Sequence, residues 1–214
     1  GGRLAIDGPL DREGPIPPEL CRWVADGRVD LIGSVHGDSK STTPEAMASM
    51  EVKLANLPRS VVKAAISIPD FATLIRLHRW ATEKSSSRIF LPMSASGEPA
   101  PRWAWYRAWM GASVAHGLNF WREDDGSSLD QPTFSQWWRR RRFKGQEFAA
   151  VLGHPVEHSR TPLEHDVFFA ARGLPVYAIS VKRDEVADAV PFLRSLGLIA
   201  AAVTAPLKET VVSG

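Results

Sequence analysis

The order of apolar and polar positions along the chain predicts two runs of alternating strands and helices. In the first run, short apolar segments alternate with longer amphipathic ones, a pattern typical of parallel sheets with helical crossovers. Its predicted strands are VDLIGSVHG, SVVKAAISI, RIFLPMSASG and ASVAHGLNF. Its predicted helices are PDFATLIRLHRWATEK and TPEAMASMEVKLANL, and the second begins at Thr43 and Pro44. We therefore expect an α/β fold for this section.

The pattern stops between Arg122 and Gln146 and then starts again. REDDGSSLDQP has the composition of a loop, and TFSQWWRRRRFKGQ predicts a short helix that leads into a basic connector. The later predicted strands are EFAAVLG, PVYAISV and LIAAAVT, and the later helices are PLEHDVFFAARG, DEVADAVPFLRSLG and one that begins near PLKETV. We place one domain at residues 1–142 and a second, smaller one at residues 143–214.

Composition and charge exclude several classes of protein. The 26 basic residues nearly balance the 24 acidic ones, so the net charge of +2 indicates no general affinity for nucleic acid. The local run WWRRRRFK leaves open an interaction surface, but we interpret it as a helix end whose tryptophans pack on the first domain and whose arginines face water. No apolar run approaches the roughly 20 residues of a membrane-spanning helix, and no oligomeric state is indicated. We expect small-molecule ligands.

The cysteine and histidine content adds two expectations. Cys21 is the single cysteine and cannot form an internal disulfide, which fits a reducing, cytoplasmic location. His78, His116 and His154 have no cysteine or acidic partner at ligand spacing, so we predict no metal site. The chain begins without Met and stops within a helical pattern, so we expect it to be part of a longer protein.

The segment GHPVEHSRTPLEH carries two hydroxyl residues, Ser159 and Thr161, where a predicted strand passes into a helix. The strand LIAAAVT brings Thr204 and Lys208 to the same edge of the sheet, which is the usual ligand position in open α/β folds. Hydroxyl and ammonium donors at this edge suit a carboxylate or a polyol. Spacing alone also allows a simpler interpretation, in which the hydroxyls are helix caps and Lys208 is solvated.

The motifs GHPVEHSRTPLEH and VTAPLKE, taken together, resemble the substrate domain of shikimate dehydrogenases. The resemblance covers residues 147–214 and implies that Ser159 and Thr161 hold the substrate carboxylate. It implies that Thr204 contacts ring hydroxyls and that Lys208 exchanges a proton at the reacting oxygen. The cofactor implied is NADP, bound by a further domain, because no G-x-G-x-x-[GA] segment occurs in the sequence.

Four segments of the first domain resemble type I 3-dehydroquinate dehydratases. They are LIGSVHGDSKSTTPEAM, VVKAAISIPDF, LPMSASGEPAPR and SSLDQPTFSQWW. A lysine within an apolar strand loses its charge more readily and can then form an imine with a ketone, and Lys63 is that candidate. His36 ends the preceding strand and is the candidate base. The alternatives are a structural histidine and an edge-strand lysine.

The dehydratase resemblance also implies substrate contacts. Arg102 would pair with the substrate carboxylate, and Gln131 and Ser127 would close over the ring. The fold implied is α/β: a partial (β/α) barrel of the type I dehydroquinase kind, followed by a smaller substrate-binding domain of the shikimate dehydrogenase kind. The function implied is that of a bifunctional shikimate-pathway enzyme. The alternative is an inactive protein of the same modules that senses quinate-type or shikimate-type acids.

Overall fold

The computed structural model describes residues 4–9, 15–38, 43–98, 101–113, 119–124, 126, 128–140, 145–156, 158–170 and 173–209. Its strands are β1 (Leu4–Pro9), β2 (Val29–Asp38), β3 (Ser60–Ile68), β4 (Arg88–Ser94), β5 (Phe148–Gly153), β6 (Val176–Ser180) and β7 (Leu198–Val203). Its helices are α1 (Pro18–Ala25), α2 (Pro44–Leu54), α3 (Phe71–Glu83), α4 (Ala104–Ser113), α5 (Phe134–Arg140), α6 (Thr161–Ala170) and α7 (Val186–Ser195).

The strands form two sheets, and every pair of neighbours within them is parallel. The first sheet has the order β1-β2-β3-β4 and the second the order β6-β5-β7. The expected α/β fold with parallel sheets is therefore confirmed. The first sheet is open over the described residues, and its assignment to a dehydroquinase barrel stays a prediction, as does the division at residue 142. No helix in the described ranges combines the length and apolar character needed to cross a bilayer.

Local sequence signals account for where several helices begin. The Thr43 hydroxyl accepts a hydrogen bond from the Ala46 amide at 3.3 Å, and the Asp70 carboxylate accepts one from the Thr73 amide at 2.8 Å. These side chains satisfy amides that have no partner within the helix. Helices α2 and α3 therefore follow directly from their capping residues.

The predicted strand ASVAHGLNF is wrong over the residues that the structure describes. Ala112 and Ser113 end helix α4, and Asn119 and Phe120 lie outside any strand; residues 114–118 are not described. The reason is periodicity, because the aromatic and apolar side chains upstream recur at helical spacing. Tyr106 and Met110, four residues apart, are both buried.

One tryptophan of α5 also differs from expectation. Trp138 is 51% exposed and stacks with Phe134 at 6.0 Å between ring centroids, so it packs within its own helix rather than under the first sheet.

A single hydrophobic core joins the two sheets. Residues of β3 and β4, such as Ile66 and Phe90, belong to the same buried cluster as Phe148, Ile179 and Leu193 of the second section. The other face of β3 and β4 carries a smaller cluster of buried residues, Ala65, Ile89 and Leu91. Alternate residues of a strand point to opposite faces. The first sheet therefore packs on the second section with one face and presents Lys63 on the other.

Arg102 is the main polar contact between the two sections. Its guanidinium is 1% exposed, donates to the Pro69 carbonyl at 2.6 Å and forms an ion pair with Glu185. Glu185 in turn accepts from the Phe71 amide at 3.3 Å and from the Lys182 amide at 2.9 Å. The buried charges are thus paired and hydrogen-bonded, as burial requires.

Replacing Glu185 by Gln should lower the free energy of unfolding by about 3 kcal/mol, because Arg102 then loses its buried anion. Among the described residues, Glu98, 3.9 Å from the guanidinium, would remain as an acidic neighbour. Urea denaturation measures the change. The control is Glu19→Gln, which removes an exposed i,i+3 pair with Arg22 and should cost less than about 1 kcal/mol. Equal losses in the two variants would contradict the role given to the Arg102–Glu185 pair.

Candidate functional site

A cleft of about 610 Å³ opens at the carboxyl ends of β5 and β7. It is lined by Val151, residues 154–156 and 158–161, residues 202–205, and Lys208. This is the edge at which parallel α/β sheets usually bind ligands, since loops and helix N-termini converge there. The structure thus brings Ser159, Thr161, Thr204 and Lys208 to one cleft, and their roles stay predictions.

Gly153 allows the two strand ends to come together. A Cβ atom at this position would lie 2.4 Å from Thr204 Cγ2 and 2.8 Å from the Ala205 carbonyl oxygen. Two backbone hydrogen bonds hold the approach: the Thr204 amide donates to Leu152 at 2.8 Å, and the His154 amide donates to Ala205 at 3.1 Å. Because only glycine lacks a Cβ, the position of Thr204 in the cleft depends on it.

The two hydroxyl residues of the first motif lie at the beginning of α6. The Thr161 amide donates to Ser159 Oγ at 3.2 Å, and the Ser159 amide donates to Val156 at 2.9 Å. Ser159 therefore acts as a local cap, as the simpler interpretation requires. A hydroxyl that accepts one hydrogen bond retains its own proton, so Ser159 can still donate to a ligand in the cleft.

The cleft favours an anion. Arg160 and Lys208 supply two cationic side chains, and His154 and His158 supply imidazoles. Among the lining residues that the structure describes there is no aspartate or glutamate. Charged donors beside neutral hydroxyls suit a small acid that also carries hydroxyl groups.

Lys63 lies on the face of the first sheet that points away from the second section, and it is 5% exposed. Its ammonium forms an ion pair with Asp7 of β1 and lies 5.1 Å from the centroid of the Phe120 ring. The hydroxyl of Ser34, the register partner of Lys63 on β2, donates to the same carboxylate. Lys63 is thus buried, as its strand position predicts, within a cluster of polar partners.

His36 lies on the same face of the sheet as Lys63 but further along. It is exposed and pairs in register with Ala65, two residues beyond Lys63, which is a shift of roughly 7 Å along the strand. Both residues face the same side because alternate positions share a face.

Arg102 does not lie with Lys63. Its guanidinium binds the Pro69 carbonyl, six residues or roughly 20 Å along the chain from Lys63, and its Nε lies 3.4 Å from the Ser180 carbonyl. The guanidinium is buried and paired with Glu185 in this placement, and its expected contact with a substrate carboxylate stays a prediction. Ser127, the other expected ring contact besides Gln131, lies outside the described residues.

Gln131 lies in a turn that the buried carboxylate of Asp130 fixes. Asp130 accepts from the Ser94 amide at 2.6 Å, the Ser94 hydroxyl at 2.8 Å and the Trp103 amide at 2.8 Å. Burial lowers the pKa of Arg107 to about 10, while the charge of Asp130 opposes that shift. The turn is therefore anchored at the end of β4, and a ring contact by Gln131 stays a prediction.

The sequence did not indicate three residues of these sites. Asp7 was missed because residues 4–9 were not among the predicted strands. Gly153 resembled an ordinary turn glycine, and nothing local indicates its contact with Thr204. His154 was considered only as a metal ligand. No cluster of three or more His, Cys, Asp or Glu able to hold a metal ion occurs in the part of the chain that is described.

The second sheet is a parallel α/β unit, and the cleft at its carboxyl edge is lined by cationic and hydroxyl side chains. Residues 151–214 match the family model described as the shikimate dehydrogenase substrate binding domain. The match falls on the segment that forms the cleft, and it supports the similarity expected from the two motifs.

Several curated proteins that are similar to this chain are named shikimate dehydrogenase (NADP(+)). Shikimate dehydrogenase (NADP(+)) of Moorella thermoacetica is 46% identical over 65 residues, which is 29% of this chain and 22% of the relative. The enzyme of Symbiobacterium thermophilum is 40% identical over 65 residues, which is 29% of this chain and 22% of the relative. The enzyme of Salinibacter ruber is 40% identical over 67 residues, which is 30% of this chain and 24% of the relative. The chain thus spans 22% to 24% of the length of these relatives.

One solved structure overlaps nearly the whole chain. It is titled dehydroquinate dehydratase and shikimate dehydrogenase from S. pombe AroM, and it covers 98% of this chain and 39% of its own, with a TM-score of 0.47 and 20% identity. The match over residues 151–214 is the stronger result.

Replacing Gly153 by Ala should lower the free energy of unfolding by about 1 to 3 kcal/mol, because the new methyl group overpacks Thr204. Urea denaturation measures this change. Gly145→Ala is the matched control, since its Cβ would meet only the Glu147 amide at 3.8 Å. The control should be neutral or stabilising by less than about 1 kcal/mol. A Gly153 variant as stable as the control would show that the strand ends do not depend on this glycine.

Proposed function

We propose that the cleft binds shikimate or 3-dehydroshikimate and is the substrate site of an NADP-dependent shikimate dehydrogenase in a longer protein. The observation that carries the proposal is the composition of the cleft. Three hydroxyl residues and two cations, with no described carboxylate, lie within the segment that matches the substrate-binding family. The oxidoreductase activity is that of the named relatives and is proposed here for the whole protein.

The ligand carboxylate is assigned to Ser159 and Thr161. Both side chains lie at the N-terminal end of α6, where free amides and the helix dipole favour negative charge. A carboxylate there would accept from two hydroxyls and lie near the cation of Arg160 or Lys208. The hydrogen-bonding capacity of Ser159, which the Thr161 amide uses only in part, supports this assignment.

The ring of the ligand is assigned to the wall of the cleft that carries Thr204 and Lys208. Thr204 offers a hydroxyl to the ring hydroxyls, and Lys208 offers an ammonium that can exchange a proton with the oxygen of the reacting carbon. The sequence has no glycine-rich dinucleotide fingerprint, so the residues present do not fit the phosphates of NADP. The chemistry assigned to this chain is therefore binding, orientation and proton exchange.

A narrower observation supports dehydratase chemistry in the first section. Lys63 is buried on the same sheet face as His36, and its amine is the group that would attack a carbonyl. The alternative is a ligand-sensing protein without dehydratase activity. It is favoured by the position of Arg102, which is engaged between the two sections.

Replacing Ser159 by Ala or Thr161 by Val should weaken shikimate binding roughly tenfold to a hundredfold, because a hydrogen bond to a charged group is worth about 1.5 to 3 kcal/mol. Calorimetric titration of the 214-residue chain measures this. Ser195→Ala, which removes a hydroxyl bonded to its own helix at the Phe192 carbonyl, is the control and should bind like the parent. Unchanged affinity in both cleft variants would show that these hydroxyls do not bind the ligand and act only as helix caps.

Borohydride added together with 3-dehydroquinate should reduce an imine at Lys63 and attach a stable mass there. Peptide mass spectrometry locates the label, and Lys63→Ala should lose it while the exposed Lys84 stays unlabelled in both proteins. A folded protein that carries no label at Lys63 would exclude the dehydratase proposal and favour the sensing alternative.

A further inference from the structure

His154 is a cleft residue to which neither the motifs nor the expected roles give a ligand contact. It follows Gly153 at the end of β5 and lines the cleft beside Thr204 and Ala205. Its amide is fixed to the Ala205 carbonyl at 3.1 Å, so its backbone is tied to the segment that carries Thr204.

The two nitrogens of the His154 ring differ in their hydrogen bonding within the described part of the chain. Nδ1 lies 2.7 Å from Ser180 Oγ. Nε2 has no partner among the residues that the structure describes. It is also not one of the buried side-chain atoms without a partner, so it is accessible to solvent. Because the Ser180 contact orients the ring, Nε2 is a polar atom of defined direction that is open to solvent.

Ser180 is itself held rigidly. It ends β6, is 1% exposed and pairs in register with Gly153. The Val181 amide donates to the Gly153 carbonyl at 2.8 Å, and the Ser180 carbonyl accepts from Arg102 Nε at 3.4 Å. Arg102 belongs to the first section, so a chain of contacts leads from that section through Ser180 to the cleft.

We infer that His154 is a further substrate-binding residue, which donates to or accepts from a ring hydroxyl of the small hydroxy acid through Nε2, and that Ser180 is its positioning residue. The inference rests on the proposed function and deepens it, since it adds a hydroxyl contact to the carboxylate and proton-exchange groups. An imidazole nitrogen suits a hydroxyl because a hydroxyl both donates and accepts.

Calorimetry with two ligands tests the contact. His154→Leu should weaken shikimate binding about tenfold, the value of one neutral hydrogen bond. It should leave the affinity for cyclohex-1-ene-1-carboxylate unchanged, because that acid keeps the carboxylate and lacks the ring hydroxyls. His154→Gln, which retains a donor and an acceptor, should recover part of the loss for shikimate. A general disturbance of the cleft would weaken both ligands equally and would overturn the inference.

A double-mutant cycle tests the role of Ser180. Ser180→Ala should weaken shikimate binding in the parent but have no further effect in the His154→Leu background, since Ser180 acts through that ring. Additive losses would overturn its role as a positioning residue. If the parent binds shikimate and His154→Leu binds it equally well, the inference fails while the proposed function stands. A parent that binds neither acid would refute the proposed function itself.

Discussion

The buried contact between Arg102 and Glu185 is the constraint on which the arrangement of the two sections depends. The guanidinium comes from the segment after β4, and the carboxylate from the turn before α7. The same guanidinium binds carbonyls at the ends of β3 and β6. A charge removed from water in this way is tolerated only when its partners are fixed, so the strand ends around it are held in place.

The two candidate sites differ in how their residues are brought together. In the cleft, all the predicted residues come from short segments at one sheet edge. Backbone hydrogen bonds from Thr204 to Leu152 and from His154 to Ala205 fix the spacing of these segments. On the face of the first sheet, the predicted residues come from distant segments, and Arg102 points into the interface instead. The convergence of the cleft residues is therefore the stronger basis for a functional proposal.

The sequence predicted those features that depend on local chemistry. Thr43 and Asp70 cap the helices that follow them, and β2, β3 and β4 lie where short apolar runs indicated strands. It also placed Ser159, Thr161, Thr204 and Lys208 together, because parallel strand ends meet at one edge of a sheet.

Features that depend on contacts between distant segments could not be predicted in this way. The pairing of Asp7 with Lys63 spans 56 positions, and that of Arg102 with Glu185 spans 83. No local pattern selects one partner among many at such separations. The helix α4 was mistaken in part for a strand because its last residues are small, and the helical period is visible only further upstream.

We propose that the cleft recognises a small acid by its carboxylate. Calorimetric titration of the unaltered 214-residue chain with shikimate and with its methyl ester tests this, because the ester keeps every ring hydroxyl but replaces the carboxylate by an uncharged ester group. We expect the ester to bind at least about tenfold more weakly than the acid, in line with the loss of one charged hydrogen bond. Equal affinity for the two ligands would contradict it.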